Sequence, residues 1–430
     1  MLTRWSRREL LQRSALAGMG TWLAAGEGRT QEAPIKDRLN LGIIGVAGRG
    51  ADNLAAVGDQ NIVALCDIDD NNLTAAAKQF PQAKTTNDFR LLLEQKGLDG
   101  VVVSTPDHTH APATAMALQA GLHVYCEKPL AHTVYEARVV AQLARKHKRV
   151  TQMGTQIHAG SNYRRVVELI QSGAIGKVRE VHVWADRVWA AGDRPADTPP
   201  VPPNIHWDLW LGPAPERPYN PAYMPFTWRG WWDFGSGTLG DMACHHMDLP
   251  TWALNLRYPR RVSAEGPPVH PESTPAWLIV HYEYPERGDL PAVNLTWYNG
   301  GKRPPYFAQG ILPAWGDGTL FVGEKGMLLA DYDRRVLLPE KDFAGFVPPK
   351  PTIPDSIGHH KEWIEACKTG GPTTCNFDTS GALTEAVLLG NVAYRSGQTL
   401  TWDPRHLKAV HCPEADIYIR HPYREGWRLA

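Results

Sequence analysis

The sequence lacks several features that would assign it to common classes of protein. No run of about eighteen apolar residues occurs, so we expect no membrane span in the mature chain. The 45 lysines and arginines balance the 45 aspartates and glutamates, and without a cationic excess we expect no nucleic-acid partner. The six cysteines form no CxxC pair, which favours buried free thiols and predicts no zinc site. A length of 430 residues favours two domains.

The N-terminus has the three parts of a bacterial twin-arginine signal. Arg7 and Arg8 precede a weakly apolar stretch, residues 14–25, and then a polar run. The alternative is a cytosolic amphipathic helix that contains two adjacent arginines. We predict that residues 1–33 are an export signal and that the protein is periplasmic or otherwise exported. Signals of this class resemble those of proteins that load a cofactor before export, so we also expect a tightly bound cofactor.

A glycine-rich turn follows the first apolar strand, at residues 39–44. It contains Gly45, Ala47, Gly48, Arg49 and Gly50, and a helical segment comes next. This order places a pyrophosphate at a helix N-terminus, although Ala47 stands where the dinucleotide-binding pattern has its second glycine. The alternative is a glycine turn without a ligand.

The second apolar strand, residues 61–66, ends at Asp67, 22 positions after Gly45. An acidic residue at this spacing accepts hydrogen bonds from the ribose hydroxyls of a dinucleotide. Asp69 and Asp70 follow without a nearby arginine, so a 2′-phosphate would meet like charge. The sequence therefore predicts NAD rather than NADP.

Two further strands end in residues that we expect to face the same crevice. The apolar strand at residues 100–104 ends at Ser104 and is followed by Thr105, Pro106 and His108. The strand at residues 122–126 is followed by Glu127 and Lys128. Ligands of open parallel sheets bind beyond the carboxyl ends of the strands. His108 and His110 could be read as a metal pair, but no third ligand of suitable spacing supports that reading.

These motifs resemble those of the glucose-fructose oxidoreductase and inositol dehydrogenase family, Gfo/Idh/MocA. The likeness rests on residues 45–50, 104–110, 120–130 and 240–248, and it covers nearly all of the chain after the signal. It implies an α/β protein with a Rossmann NAD-binding domain at residues 38–155. A C-terminal α/β domain with a large, open, mostly antiparallel sheet would follow at residues 156–430, with the helices of residues 356–397 near the domain junction. The resemblance also implies a homo-oligomer, a dimer or tetramer.

Asp241 and His245 lie four residues apart, and a helix over residues 241–252 would place both on one face. The resemblance implies that His245 takes a hydroxyl proton as hydride leaves carbon, that Lys128 hydrogen-bonds the same oxygen, and that Asp241 assists. The alternative for each is a structural role. His246 would point about 100° away on the helix, so we predict that it serves packing.

Seven of the 16 tryptophans lie between Trp184 and Trp232. Flat aromatic faces stack on sugar rings, so we predict a sugar or cyclitol site that includes Trp231, Trp232 and Gln156 together with Lys128, Asp241 and His245. The alternative is that these tryptophans fill the core or an interface.

Three functions compete on these observations. The first is an NAD-dependent oxidoreductase that moves a hydride between a sugar or cyclitol carbinol and nicotinamide. The second is a redox-neutral glycoside-cleaving enzyme, in which retained NAD oxidises the sugar transiently to a keto-sugar. The third is a non-enzymatic sugar or dinucleotide sensor.

Overall fold

The computed structural model describes residues 37–429, and the predicted export signal at residues 1–33 lies outside that range. Residues 40–153 form a six-stranded parallel sheet in the order β3-β2-β1-β4-β5-β6, with a helix after most strands. The expectation of a Rossmann domain is confirmed. Its elements are β1 (Asn40–Ile44), α1 (Arg49–Ala56), β2 (Asn61–Cys66), α2 (Asp70–Gln79), β3 (Lys84–Thr86), α3 (Phe89–Leu93), β4 (Gly100–Val103), α4 (Asp107–Gln119), β5 (His123–Cys126), α5 (Val134–His147) and β6 (Thr151–Met153).

The local sequence explains the central part of this sheet. Every residue of β4 is buried, as expected for a parallel strand that is covered on both faces. The helix α5 begins at a capping box, in which the Thr133 hydroxyl accepts from the Glu136 backbone N–H and the Glu136 carboxylate accepts from the Thr133 backbone N–H. These features fix the strand ends that face the crevice.

The rest of the described chain is organised around a nine-stranded sheet in the order β13-β12-β11-β7-β10-β9-β8-β14-β15. The β7–β10 pair is parallel and the other pairs are antiparallel, so the prediction of a large, mostly antiparallel sheet is confirmed. Its elements are α6 (Ser161–Gln171), β7 (Val178–Ala185), α7 (Trp207–Leu211), α8 (Gly237–His246), α9 (Asp248–Ala253), β8 (Arg261–Glu265), β9 (Leu278–Tyr284), β10 (Val293–Asn299), β11 (Asp317–Gly323), β12 (Gly326–Ala330), β13 (Arg335–Leu338), α10 (His359–Thr369), α11 (Phe377–Ser396), β14 (Leu400–Asp403), β15 (Lys408–Ala409) and α12 (Asp416–Ile419).

The helix predicted over residues 241–252 is two helices that meet at Met247. The prediction of one continuous helix was wrong at this point. Pro250 has no N–H to donate to the carbonyl of His246, so the helical hydrogen-bond ladder is interrupted there. Asp241 and His245 both remain within α8.

The C-terminal helix α11 joins the two sheets. It packs against α5 on one side and against α8 and β8 on the other. A buried ion pair between Arg138 of α5 and Glu385 of α11, 2.7 Å long, crosses this contact. The location of the helices of residues 356–397 at a domain junction stays a prediction.

Two negative findings apply to residues 37–429. No helix there is long and apolar enough to cross a membrane. All six cysteines are unpaired and all but Cys367 are buried, which agrees with the prediction of free thiols.

Candidate active site

A cleft of about 630 Å³ opens at the carboxyl ends of β1, β2, β4 and β5 and extends to α8. It brings together the glycine turn, Asp67 and the three predicted catalytic residues. The predicted residues that line it are Gly45, Ala47, Gly48, Arg49, Asp67, Ser104, Thr105, Pro106, Glu127, Lys128, Asp241 and His245.

The glycine turn forms the floor at one end of the cleft. Gly45 has φ +84°, and a Cβ there would lie 2.6 Å from the Ser104 carbonyl oxygen. A Cβ on Gly50 would lie 2.2 Å from the Gly45 carbonyl oxygen, so this glycine permits the tight turn rather than lining the cleft. Ala47 lines the cleft, and its methyl group is accommodated. The turn therefore leaves backbone free to approach a ligand closely.

Asp67 is fixed at the end of β2. Its carboxylate accepts from the backbone N–H groups of Val46 and Asp69, each at 3.0 Å. Burial raises its pKa, and these hydrogen bonds oppose the rise. The two arginines that line the cleft within the described residues are Arg49 and Arg229. Arg49 pairs with Glu127 and Asp52, and Arg229 pairs with Asp241, so neither is a free partner for a 2′-phosphate at Asp67.

Glu127 is a buried carboxylate with three donors around it. Asn53 donates to it at 2.9 Å and Gln156 at 2.8 Å, while Arg49 lies 3.4 Å away. Gln156 also donates to the Tyr125 hydroxyl and does not line the cleft. The prediction that Gln156 contacts substrate is therefore not supported, because its amide is used to hold Glu127 in place.

The centre of the site is Asp241, to which three donors converge. Lys128 Nζ lies 2.5 Å from Asp241 Oδ1, Trp189 Nε1 donates to Oδ2 at 2.7 Å, and Arg229 Nε lies 3.4 Å from Oδ1. Although burial raises the pKa of Asp241, Lys128 and Arg229 outweigh it and hold the pKa below its ordinary value. Asp241 is therefore a carboxylate at neutral pH.

His245 lies one helical turn after Asp241 and also lines the cleft. Its Nδ1 is buried and has no hydrogen-bond partner among residues 37–429. Burial and the positive charge of Lys128 hold its pKa well below the ordinary value, so the imidazole is neutral at pH 7. The next residue, His246, stacks on Tyr332 with ring centroids 4.7 Å apart, which agrees with the predicted packing role.

Three predicted residues lie elsewhere. His108 faces away from the cleft, and its ring nitrogens lie 2.9 Å and 3.2 Å from the carbonyl oxygens of Trp210 and Phe234. Trp231 and Trp232 are buried, and their indole N–H groups donate to the carbonyls of Ala222 and His270. None of the three lines the cleft. The structure therefore gives no support to the predicted cofactor contact of His108 or to the predicted substrate contacts of the two tryptophans.

Other residues line the cleft where contacts from His108, Trp231 and Trp232 were expected. Asp107, rather than His108, faces the cleft at the start of α4, since successive helical residues point about 100° apart. Burial raises the pKa of Asp107 to about 7. The aromatic walls of the cleft are supplied by Trp189, Trp210, Phe226, Trp228 and Trp427. The sequence contained a signal for Asp107, because this residue lies close to the predicted end of the strand at residues 100–104. Trp189 and Trp427 lie in segments without the periodicity of a helix or a strand, so no such signal existed for them.

One cluster of metal-ligating residue types lies outside the cleft: His158, Asp248 and Cys375, all buried. His158 Nδ1 is 2.8 Å from Asp248 Oδ2, which is a hydrogen-bond separation. Burial lowers the pKa of His158, but the Asp248 carboxylate outweighs this and raises it well above its ordinary value. These distances fit a buried ion pair, and the absence of a metal stays a prediction.

Three features together define an NAD-binding oxidoreductase. They are the Rossmann sheet, the glycine turn with an acidic residue at the next strand end, and the lysine, aspartate and histidine in the same cleft. Residues 39–155 match the model of an oxidoreductase family with an NAD-binding Rossmann fold, and residues 160–293 match the C-terminal alpha/beta domain of that family. The chain belongs to the Gfo/Idh/MocA family.

Similarity to individual proteins is partial in sequence and broad in fold. Inositol 2-dehydrogenase of Salmonella paratyphi B is 33% identical over 150 residues, 34% of this chain and 45% of the relative. A "Glycosyl hydrolase family 109 protein" of Solibacter usitatus is 31% identical over 192 residues, 40% of this chain and 44% of the relative. The aligned part thus spans less than half of either relative. The WlbA dehydrogenase from Bordetella pertussis, solved with NADH and UDP-GlcNAcA, shares the fold with a TM-score of 0.62 at 18% identity, over 85% of this chain and 99% of that one.

Proposed function

We propose that this protein oxidises a secondary alcohol of a sugar or cyclitol and that NAD accepts the hydride. The observation that carries the proposal is the Lys128–Asp241 pair, 2.5 Å long, in the same cleft as the glycine turn and Asp67. Bound NAD supplies a hydride acceptor at its nicotinamide ring. Gly45, Gly48 and Asp67 are the groups that would hold it, and the steric space at the turn fits that role.

The chain's own residues would bind the hydroxyl and remove its proton. Asp241 is already held by Trp189 and Lys128, so its carboxylate fixes the lysine in the cleft. An ammonium group has three N–H donors; Lys128 gives one to the Asp241 carboxylate and one to the Asp241 backbone carbonyl, and the third can hold the substrate oxygen. His245 is neutral at pH 7, and a neutral imidazole can accept the hydroxyl proton as the C–H bond breaks.

The substrate class rests on the walls of the cleft and on similarity. Trp189 and Phe226 stand edge to face with centroids 5.2 Å apart, and the Arg229 guanidinium lies between Phe226 and Trp228. Aromatic faces beside charged groups suit a polyhydroxylated ring, which has apolar faces and a polar rim. One relative is named an inositol 2-dehydrogenase, which supports a cyclitol or sugar over a simple alcohol.

The test is a panel of cyclitols, hexoses and sugar acids with purified protein and NAD, followed by the absorbance of reduced nicotinamide. We expect at least one ring carbinol to reduce NAD and the His245→Ala variant to lose at least about a hundredfold in kcat, since a positioned base contributes roughly that factor or more. An exposed control, His406→Ala, should match the unaltered protein. Equal rates for His245→Ala and the unaltered protein would overturn the assignment of the base.

A second candidate, the redox-neutral cleavage of a glycoside, is favoured by the relative named as a glycosyl hydrolase family 109 protein. In that reaction the same groups would act on a sugar whose aglycone is eliminated after transient oxidation, with no net change in NAD. Release of nitrophenol from nitrophenyl glycosides without added NAD would support it. Measuring the dinucleotide that denatured protein releases would show whether a cofactor is retained.

We also propose export and self-association. The twin arginines Arg7 and Arg8 support a periplasmic location, and cell fractionation of the Arg7→Lys/Arg8→Lys variant tests it. Retention of that variant in the cytoplasm is expected, and unchanged export would contradict the signal. Sedimentation of the purified protein tests the expected dimer or tetramer against a monomer.

A further inference from the structure

A second cavity, of about 200 Å³, lies behind the first turn of α4 and shares no lining residue with the active-site cleft. Its walls include Arg395, His132, His421 and Trp232, and we call it the rear pocket. A small chamber of about 20 Å³ is lined by the same four residues and by Ser236 and Asn391. None of these residues has a part in the proposed reaction.

Arg395 is the unusual group in this pocket. Its guanidinium lies 4.6 Å from the ring centroid of Trp232 and 4.3 Å from that of Tyr418. Within residues 37–429 it makes no hydrogen bond or ion pair. Burial lowers its pKa to about 10, so it still carries a charge at neutral pH. A half-buried guanidinium without an ion-pair partner has donors that match a carboxylate or phosphate.

No described acidic residue of the pocket wall forms an ion pair with Arg395, although the charge of Asp233 opposes the lowering of its pKa by burial. Asp233 Oδ2 lies 2.5 Å from Arg194 Nη2 and 2.9 Å from Arg217 Nε. Glu272 also pairs with both of these arginines. Glu136 accepts the backbone N–H groups of its capping box and the hydroxyl of Tyr423 at 2.6 Å. Asp233 and Glu272 are therefore matched by Arg194 and Arg217, and Arg395 is the cation of this wall that forms no ion pair with a described residue.

The chamber beside Arg395 contains polar atoms that also lack partners. Asn391 is 7% exposed, and its Oδ1 accepts no hydrogen bond from any described residue. Ser236 is 3% exposed, and its hydroxyl likewise has no partner there. Buried polar atoms are seldom left unsatisfied, and a ligand hydroxyl can satisfy both types.

Two imidazoles complete the polar wall. Burial lowers the pKa of His132 to about 3 and that of His421 to about 4, and nearby Arg395 contributes to both shifts. Both rings are therefore neutral at pH 7 and add no charge, and His421 can give one N–H donor. His132 uses Nε2 at 3.2 Å from the Gly235 carbonyl, whereas His421 makes no hydrogen bond to the described chain.

We propose that the rear pocket binds a small hydroxylated anion, with its carboxylate or phosphate at Arg395 and one hydroxyl group in the chamber beside Asn391 and Ser236. The rear pocket, at about 200 Å³, is about a third of the size of the active-site cleft, at about 630 Å³. This space accommodates a short hydroxy acid or sugar-acid fragment and excludes a dinucleotide. The site is independent of the proposed oxidoreductase activity.

The test is calorimetric titration of protein that has been saturated with NAD, so that anion sites in the main cleft are covered. The probes are glycerate and glycerol phosphate, which distinguish a carboxylate from a phosphate source, and glycerol, which has the hydroxyl groups without the charge. We expect one of the anions to bind with Kd at or below about 1 mM and glycerol to bind at least about tenfold more weakly. No binding by either anion would overturn the proposal.

Variants locate the bound anion. Arg395→Gln should weaken binding at least tenfold, whereas Arg405→Gln, the same change at an exposed arginine, should leave it within twofold. If Arg395→Gln does not fold, His421→Trp decides the matter, because the larger ring narrows the cavity while the guanidinium is kept. Binding of the anion to His421→Trp or to folded Arg395→Gln with unchanged affinity would place it elsewhere and contradict the proposal.

Discussion

Replacing Lys128 by methionine removes the only cation within 3 Å of the Asp241 carboxylate among the described residues. Both side chains of this pair are largely buried, with 13% and 11% exposure. Removing one partner of a buried pair costs roughly 3 to 5 kcal/mol of folding free energy. Here Trp189 and Arg229 continue to contact Asp241, so we expect the lower half of that range, about 3 to 4 kcal/mol.

The effect of Lys128→Met on the reaction should be larger than its effect on folding. Loss of a group that holds the reacting oxygen should lower kcat by about a hundredfold to ten-thousandfold, or about 3 to 5 kcal/mol in activation free energy. NAD affinity should change less than tenfold, because the glycine turn and Asp67 are untouched. The assay is the initial rate of NAD reduction with the substrate found in the panel, together with NAD titration by tryptophan fluorescence.

Two controls separate a catalytic loss from a folding defect. Lys146→Met, at an exposed position of α5, should leave both rate and stability unchanged. Arg138→Met breaks the buried pair with Glu385 away from the cleft, so it should lower the melting temperature yet leave kcat within about twofold. If folded Lys128→Met retains kcat within threefold of the unaltered protein, the reasoning about this lysine is refuted.

Three further changes test the cleft. Asp67→Ala should weaken NAD binding by about tenfold, the equivalent of about 1.4 kcal/mol, while the affinity for NADP stays nearly constant; equal losses for both cofactors in a fluorescence titration would contradict the ribose assignment. Gly45→Ala should abolish NAD binding and cost on the order of 1 to 3 kcal/mol of stability, because its Cβ would lie 2.6 Å from a carbonyl oxygen at φ +84°; retained NAD binding would refute the steric argument. The folded-state pKa of Asp107 is raised to about 7, so the unfolded chain ionises first and Asp107 lowers stability as pH rises from about 4 to 7. The gain in unfolding free energy from Asp107→Asn should therefore be larger at pH 8 than at pH 4, by up to about 2 to 4 kcal/mol. If the melting temperatures of the variant and the unaltered protein depend on pH in the same way, this carboxyl is not desolvated.

Much of the fold was predictable because local signals agree with one another. The apolar run that forms β4 is long enough for a strand and too short for a helix, and the glycine turn after β1 has a steric requirement that few other residues meet. The placement of Asp241 and His245 on one helix face was predictable, because residues four apart lie on the same face. Both residues are within α8, although this helix ends sooner than expected.

The errors arise where position depends on tertiary contacts. Residues 186–206 have no helix or strand, so neither a period of two nor of 3.6 indicates which tryptophan faces the cleft. The contact between Trp189 and Asp241 joins residues 52 positions apart, and no local pattern predicts it. Gln156 was predicted to contact substrate, and only the structure shows that its amide holds the Glu127 carboxylate.

The central claim is that this cleft removes hydride from a carbinol carbon and delivers it to NAD. The most direct measurement is to incubate the protein with NAD and ring-deuterated cyclitols and sugars and then to determine the mass of the nicotinamide. We expect deuterium in the nicotinamide ring with at least one substrate and none with the His245→Ala or Lys128→Met variants over the same time. Absence of deuterium transfer from every carbinol and glycoside, in protein that binds NAD, would contradict the account.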